Sequence, residues 1–414
     1  MLLLKIVISR AGISRILFQT NLWQVKGEFY MNNFEFQAPT KIIFGRDTIK
    51  QVANEIPKNK KILMTYGGGS IRKNGVYKKV METLSEHTVM EFGGIEPNPK
   101  FETLMQAIEI VKNENIDFLL SVGGGSTLDG TKFIAAAAKF EGDPWTILSE
   151  GAEIKDAIPL ADIITLPATG SEMNNGAVIS RLSTNEKLAF HSNFVYPKFS
   201  IIDPETTYSL PEKQTVNGII DTFVHTMEQY ATYEVNTPLQ DQWMLGLIKT
   251  LMEESKKVLQ NPTNYDARAN VFWCATCGLN YWMSLGCIQD WSTHMIGHEL
   301  TAFYGLDHGE SLAIVLPRVW KNRKNDKMQK LAKMAVEVFG ANEFLPKNIL
   351  ADITIDKTKK FFKSLGRRIK LSDYGIDKAE AAKKISERFK ERKAVLGEKC
   401  NITPDEVYDI LMHC

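Results

Sequence analysis

No apolar run in this chain approaches the roughly 20 residues that a membrane-spanning helix needs. Net charge is also lacking. Fifty Lys and Arg against 49 Asp and Glu leave +1, so there is no electrostatic case for nucleic acid or an anionic membrane surface. Cysteine is sparse and odd in number, at five. That argues against a disulfide framework and fits a reducing, cytoplasmic setting. Cys274-x-x-Cys277 has no second CxxC, and its apolar helical surroundings make it buried packing. There is no repeat, no low-complexity tract and no GxGxxG fingerprint. What remains is an ordinary soluble composition, 44% hydrophobic and 24% charged, over 414 residues. That length allows two domains with well-filled cores.

Residues 1–30 read unlike the rest. Lys5, Arg10 and Arg15 without an acid in the first twenty suggest a transit peptide. A better reading back-translates Lys26–Met31 into a ribosome-binding sequence just ahead of a start codon. On that reading residues 1–30 are a non-native extension and the natural chain begins at Met31.

From Lys41 to about residue 205, apolar strand-like runs alternate with helical stretches. Strands are expected in 60–70, 87–95, 116–126, 161–172 and 198–204. Near-continuous apolar strands in a β-α-β rhythm predict a parallel sheet covered on both faces. Beyond Leu210-Pro211 strand signals nearly vanish and long helical segments follow. The expected organisation is therefore a Rossmann-like α/β domain over 31–206 and an α-helical domain over 207–414.

Two glycine loops follow strands. Gly123-Gly124-Gly125-Ser126 opens a helix, where glycines let backbone approach a pyrophosphate and free N–H groups face it. A plain βα turn is the blander explanation. Ser126 and Asp129 have capping-box spacing. Gly67-Gly68-Gly69-Ser70 is followed by Arg72 and Lys73, with no acid to take a ribose 2′-hydroxyl. One hydroxyl and two cations favour the 2′-phosphate of NADP. Thr169-Gly170-Ser171-Glu172 adds hydroxyls at another strand end.

Only seven histidines occur, and four fall in two places. Asp221 and His225 are four apart in IIDTFVHTMEQYA and share one helix face. His294 and His298 repeat that spacing, and His308 follows in GLDHGES. Either Asp221 or His225 alone is most often structural. Together on an apolar stretch they include a carboxylate that is costly to bury unpaired. These five residues form a borderline-hard donor set suited to a divalent ion. The motif is HxxxHE, not HExxH, so a zincin-type general base is misplaced.

GGGSxxDGxK, PATGSE, IIDTFVHTMEQY and DWSTHMIGHELTAFYGLDHGESLAIVLP together resemble the iron-containing alcohol dehydrogenases. YGGGSI and LSDYGID resemble the NADPH-dependent butanol dehydrogenase or aldehyde reductase branch. The resemblance runs from about Asn32 to the C-terminus. It implies a dehydroquinate-synthase-like architecture with a metal in the cleft between an α/β and a helical domain. It implies metal ligands at Asp221, His225, His294 and His308, holding Fe²⁺ or Zn²⁺. His298 is implied to be a catalytic neighbour of nicotinamide and substrate. Cofactor contacts are implied at Gly67–Ser70, Gly123–Ser126, Asp129, Thr169, Ser171 and Lys187. NAD-preferring relatives carry Asp where this chain has Gly67, which agrees with NADP(H). The implied activity interconverts primary alcohols and aldehydes, in a cytoplasmic homodimer with no nucleic-acid or membrane partner. Alternatives are a dehydroquinate-synthase-like NAD/metal lyase and a glycerol or diol dehydrogenase. The YGGGSI loop and the lack of a basic cluster for a phosphorylated substrate weigh against the lyase.

Overall fold

The computed structural model describes residues 30–414. The reading of the leader segment therefore falls outside the described residues. The first half is built on a six-stranded parallel sheet. Its strands are β1 (Lys41–Phe44), β2 (Lys61–Tyr66), β3 (Thr88–Phe92), β4 (Phe118–Gly123) and β5 (Leu160–Ile164). An antiparallel hairpin of β6 (Gly176–Arg181) and β7 (Glu186–His191) precedes the last strand, β8 (Phe199–Ile202). The order across the sheet is β1-β8-β5-β4-β2-β3.

Every residue of β4, β5 and β8 is buried, as the continuous apolar runs predict for strands covered on both faces. Successive side chains supply opposite cores. Leu63 and Leu119 join Leu104, Ile108 and Phe133 on one face. Ile62, Met64 and Leu120 join Val76 and Val80 on the other. The five expected strands are present. β1 and the β6–β7 hairpin are additional, and neither announces itself. KIIF is only four residues long, and the hairpin turns through LSTN without the Asn-Gly or Asp-Gly signal.

The sheet order reverses between β2 and β4, which are hydrogen-bonded neighbours with Tyr66 opposite Val122. Chain leaving β2 proceeds to β3 on one side, and chain leaving β4 proceeds to β5 on the other. Open α/β sheets bind ligands beyond the strand C-termini at such a reversal. Both glycine loops begin there.

From Glu212 onward the chain is helical. The helix Glu212–Tyr230 is the central element, buried along Gly218–Tyr230. Its Phe223 lies 5.6 and 5.3 Å from the rings of Phe361 and Phe362. Truncating such a residue to Ala typically costs about 3–5 kcal/mol. Three glycines bring the elements of the second half close. A methyl at Gly218 would run into the Pro167 carbonyl, so this helix docks directly on the loop after β5. A methyl at Gly297 would lie 3.0 Å from Ser311 Oγ, where the helices Ser292–Tyr304 and His308–Asn322 cross. At Gly309 it would lie 2.7 Å from the Asn217 carbonyl, where His308–Asn322 begins against the central helix. Among the described residues no helix is long and apolar enough to cross a membrane.

Candidate active site

The two glycine loops differ in why they are glycine. In Gly123–Gly125 the neighbours are the protein's own. An added methyl at Gly123 would sit on the Thr127 side chain, at Gly124 3.2 Å from Leu166, and at Gly125 on Thr169. Gly125 thus lets the Thr169–Ser171 segment close over the start of the helix Gly125–Ala137. In the first loop Gly68 and Gly69 meet nothing within 4 Å, and Gly69 has φ 92. That open backbone is the one a ligand could approach.

The predicted capping box between Ser126 and Asp129 is not formed. The helix starts at Gly125 with Gly124 as its cap residue, so Ser126 already lies in the first turn. Ser126 Oγ instead accepts from Asn98 N at 3.3 Å. Asp129 turns inward. It accepts from the Ser171 hydroxyl at 2.8 Å and from Val178 N at 3.0 Å, tying the TGSE loop and β6 to the helix. Three residues on, Lys132 is fully buried and donates to the carbonyls of Ser171, Asn174 and Gly176 at 2.7, 2.8 and 2.9 Å. Burial pushes its pKa down to about 8, against the pull of Asp129 and two further acids.

The two cations after the first loop also separate. Arg72 is committed to Glu91 at 2.6 Å and Tyr66 Oη at 2.8 Å, with its guanidinium 3.9 Å from the Tyr77 ring centre. Lys73 is exposed. Of the two, Lys73 is the one at liberty to meet a phosphate. Lys187, on β7, donates to Asn98 Oδ1 at 2.8 Å. Burial lowers its pKa to about 8, while Asp221 and then Asp129 oppose the shift. It therefore stands between the loop residues and the histidine cluster.

Asp221 Oδ1 is the hub of that cluster. It lies 3.5 Å from His225 Nδ1, 3.6 Å from His294 Nε2 and 3.5 Å from His308 Nε2. Asp221, His294 and His308 offer ligand atoms that all fall within 4.8 Å of one another. His225 joins through Asp221 and stacks on the His294 ring, with centres 4.5 Å apart. Asp221 Oδ1, His225 Nδ1 and His294 Nε2 are buried without a hydrogen-bond partner in the protein. Orphaned polar atoms of this kind are rare and costly. A tetrahedral ion with bonds of about 2.1 Å would hold its ligand atoms about 3.4 Å apart. The three distances from Asp221 are close to that edge, so the donor set fits a divalent ion.

Protonation favours the same reading at two of the three rings. Burial lowers the His225 pKa to about 4, despite Asp221. His308 is held well below the ordinary value by burial and then by Lys187. Both rings keep a lone pair at neutral pH. His294 differs: burial opposes its charge, but Glu228 and Asp221 raise it to about 9. Asp221 is lowered in spite of burial, chiefly by His225 and His294. His298 lies beside the group, 6.3 Å from the His294 ring and 5.3 Å from the His308 ring. It is neutral through burial and the nearby Lys187.

Two features of the surroundings escape a reading of the sequence. Glu228 is buried and pairs with His294 Nδ1. Its signal is the spacing of Asp221, His225 and Glu228, which repeats i, i+4, i+7 on one helix face. Glu299, the acid of HxxxHE, is gripped by Arg392 Nη1 at 2.6 Å and Arg388 Nη1 at 2.9 Å. The same two arginines reach Glu186 at 3.3 Å and the Asn185 carbonyl at 2.7 Å. Glu299 thus binds the hairpin that carries Lys187 to the helix that carries His294. By sequence Trp145, Phe190, Trp291 and Phe303 are candidates to line an apolar substrate pocket, although core packing is the commoner fate of such residues. Trp145 and Phe190 belong to the α/β core beside Phe101 and Phe133. Phe303 packs against the C-terminal core under the Arg388 guanidinium. Trp291 does reach the site, 5.3 Å from the His294 ring.

Comparisons with known proteins identify the family. Residues 39–204 match the family model described as iron-containing alcohol dehydrogenase, and residues 215–414 match the C-terminal model of the same family. The chain is 49% identical over 378 residues to the NADPH-dependent aldehyde reductase YqhD of Escherichia coli K12, covering 91% of this chain and 97% of that one. It is 41% identical to a probable NADH-dependent butanol dehydrogenase of Bacillus subtilis, covering 84% and 91%. The substrate- and cofactor-free structure of E. coli YqhD superposes with a TM-score of 0.85 at 47% identity, over 92% of this chain and 99% of that one. The NADH-dependent butanol dehydrogenase A of Thermotoga maritima gives 0.88 at 37% identity, over 93% and 99%. With both halves matched and a relative 49% identical over nearly its whole length, this chain belongs to the iron-containing alcohol dehydrogenase family.

Proposed function

We propose that this enzyme interconverts aldehydes and primary alcohols of the butyraldehyde and butanol type, working mainly as an NADPH-dependent aldehyde reductase. The observation that carries this reading is the orphaned donor set around Asp221, linked through Lys187 and Asn98 to Ser126 of the glycine loop at the sheet's reversal point. Asp221, His225, His294 and His308 would hold one divalent ion, Fe²⁺ or Zn²⁺. Gly67–Ser70 with Lys73, Gly123–Ser126, Asp129, Thr169, Ser171 and Lys187 would hold NADP(H). When bound, the nicotinamide supplies hydride and the ion supplies a Lewis-acid charge for the carbonyl oxygen.

The chain's own residues do the rest. Asp129 and Lys132 hold the Thr169–Ser171 loop in place. Lys187 sets a positive charge between cofactor loops and cluster. Trp291 packs against the His225 and His294 rings and limits water there. His298, neutral and buried, is suited to accept or pass a proton at a ring nitrogen. The division near residue 206, a homodimeric state and a cytoplasmic location belong to the same proposal.

The test is NADPH-dependent reduction of an aldehyde chain-length series by protein stripped of metal and reloaded with Fe²⁺, Zn²⁺ or Mn²⁺. Activity should appear only on reloading and should be lost in Asp221→Ala. Full turnover by the stripped enzyme would sink the reading.

A further inference from the structure

Glu228 lies outside the proposed ligand set, yet three donors converge on its carboxylate. Thr293 N–H donates to Oε1 at 2.6 Å, and His294 N–H donates to Oε2 at 3.2 Å. His294 Nδ1 pairs with the same Oε2. The two backbone donors belong to the first turn of the helix Ser292–Tyr304, whose leading N–H groups have no partner within the helix. The Glu228 side chain is 1% exposed. Its main chain is fastened as well, since Asp290 N–H donates to the Glu228 carbonyl at 2.7 Å. Asp290 in turn accepts from Ser292 N at 2.9 Å and pairs with the buried Lys327 at 2.8 Å.

One carboxylate therefore does two things at once. It seats the start of the helix that carries His294, and it accepts a hydrogen bond at Oε2 from that histidine's Nδ1–H. A neutral histidine that donates from Nδ1 carries its lone pair on Nε2, so Nε2 is the nitrogen left for an ion once the ring has lost its second proton. His294 Nε2 is the atom that faces Asp221 Oδ1 at 3.6 Å and has no hydrogen-bond partner. We propose that Glu228 is a positioning residue for the metal centre. It fixes the His294 tautomer, locks the ring's rotation and raises the basicity of Nε2. The inference rests on the ligand reading above. Carboxylate–histidine–metal arrangements of this form change metal affinity by about 10–100-fold when the carboxylate is removed.

The experiment uses the full chain, stripped of metal and titrated with Co²⁺, whose visible absorption reports both occupancy and ligand geometry. Wild type, Glu228→Gln, Glu228→Ala, Glu228→Asp and a His294→Ala control are compared, with the melting of each metal-free protein recorded. Wild type should bind one equivalent. Glu228→Gln and Glu228→Ala should bind about 10–100-fold more weakly, with an altered spectrum. The metal-free melting temperature should fall in Glu228→Ala, which strips the helix start of its acceptor, and less in Glu228→Gln, which keeps one acceptor oxygen. Glu228→Asp keeps the charge but is one methylene short, so it should fall between. If Glu228→Ala does not fold, the Gln and Asp variants carry the comparison. Wild-type affinity and spectrum in every folded Glu228 variant would overturn the proposal while leaving the ligands intact. Failure of wild type to bind Co²⁺, or binding by His294→Ala equal to wild type, would overturn the ligand reading itself.

Discussion

Gly309→Ala sets two effects of opposite sign against each other. Gly309 is the second residue of the helix His308–Asn322. Helix propensity alone makes Ala better than Gly by up to about 1 kcal/mol. Packing says otherwise. The new methyl would lie 2.7 Å from the Asn217 carbonyl oxygen, 2.8 Å from Asn217 Cα and 3.0 Å from Asn217 Cβ. An ordinary carbon–oxygen contact is about 3.3 Å or more, so the helix start must retreat by roughly 0.6 Å. Two of the three obstacles are backbone of the Glu212–Tyr230 helix and cannot rotate away. Overpacking of this kind costs about 1–3 kcal/mol, which exceeds the propensity gain. The strain falls mostly on the metal-bound state, because His308 must come back to 3.5 Å from Asp221 to share an ion. A penalty of about 1–3 kcal/mol corresponds to about 5- to 150-fold in affinity. The assay is a competition titration against a chromogenic chelator, with melting of the metal-free protein as control. A variant that melts higher and binds metal as tightly as wild type would refute the packing argument.

Lys73→Ala should raise the KM for NADPH about tenfold, as loss of a charge-assisted contact does, and leave the NADH KM unchanged. Arg72→Ala should show no such preference for one cofactor, and steady-state kinetics with both separates the two. The metal-free protein should lose stability on both sides of pH 6.5. His225, neutral in the fold with a pKa near 4, contributes stability above 6.5 that is lost as pH falls toward 4, at most about 3 kcal/mol. His294, raised to about 9, contributes stability below 6.5 that is lost as pH rises through 9. Melting across pH should show the acid-side slope flattened in His225→Ala; an unchanged slope would contradict the assignment. Replacing Arg388 and Arg392 together by Met strands the Glu299 carboxylate, at about 3–5 kcal/mol for a broken buried pair. The cofactor KM should rise while metal content holds, as measured by kinetics and metal analysis.

Asp221, His225, His294 and His298 are legible in sequence because helix periodicity fixes which side chains share a face. The glycine loops are legible because each follows an apolar strand. Glu228 is harder to see: its i, i+4, i+7 spacing puts it on the face of Asp221 and His225, but spacing along one helix does not show that its partner is a histidine of another. Lys132 looks like any helix lysine until three distant carbonyls are found around its ammonium. The capping box fails because spacing alone does not say where a helix begins, and here the chain turns helical at Gly125. Trp145 and Phe190 show the same limit. An aromatic near a site in sequence is free to pack into the sheet's own core, and both do.

Asp221, His294 and His308 project from three different helices. An ion held by all three would be a removable cross-link between segments far apart in the chain. Its contribution to folding is set by mass action, about 2.7 kcal/mol when free ion stands at 100 times its Kd. The number of intact enzyme molecules in a cell would then follow metal availability, independently of how fast each molecule turns over. Iron or zinc starvation would first empty the site and then expose the emptied chain to proteases, so that lost activity and lost protein arrive in sequence.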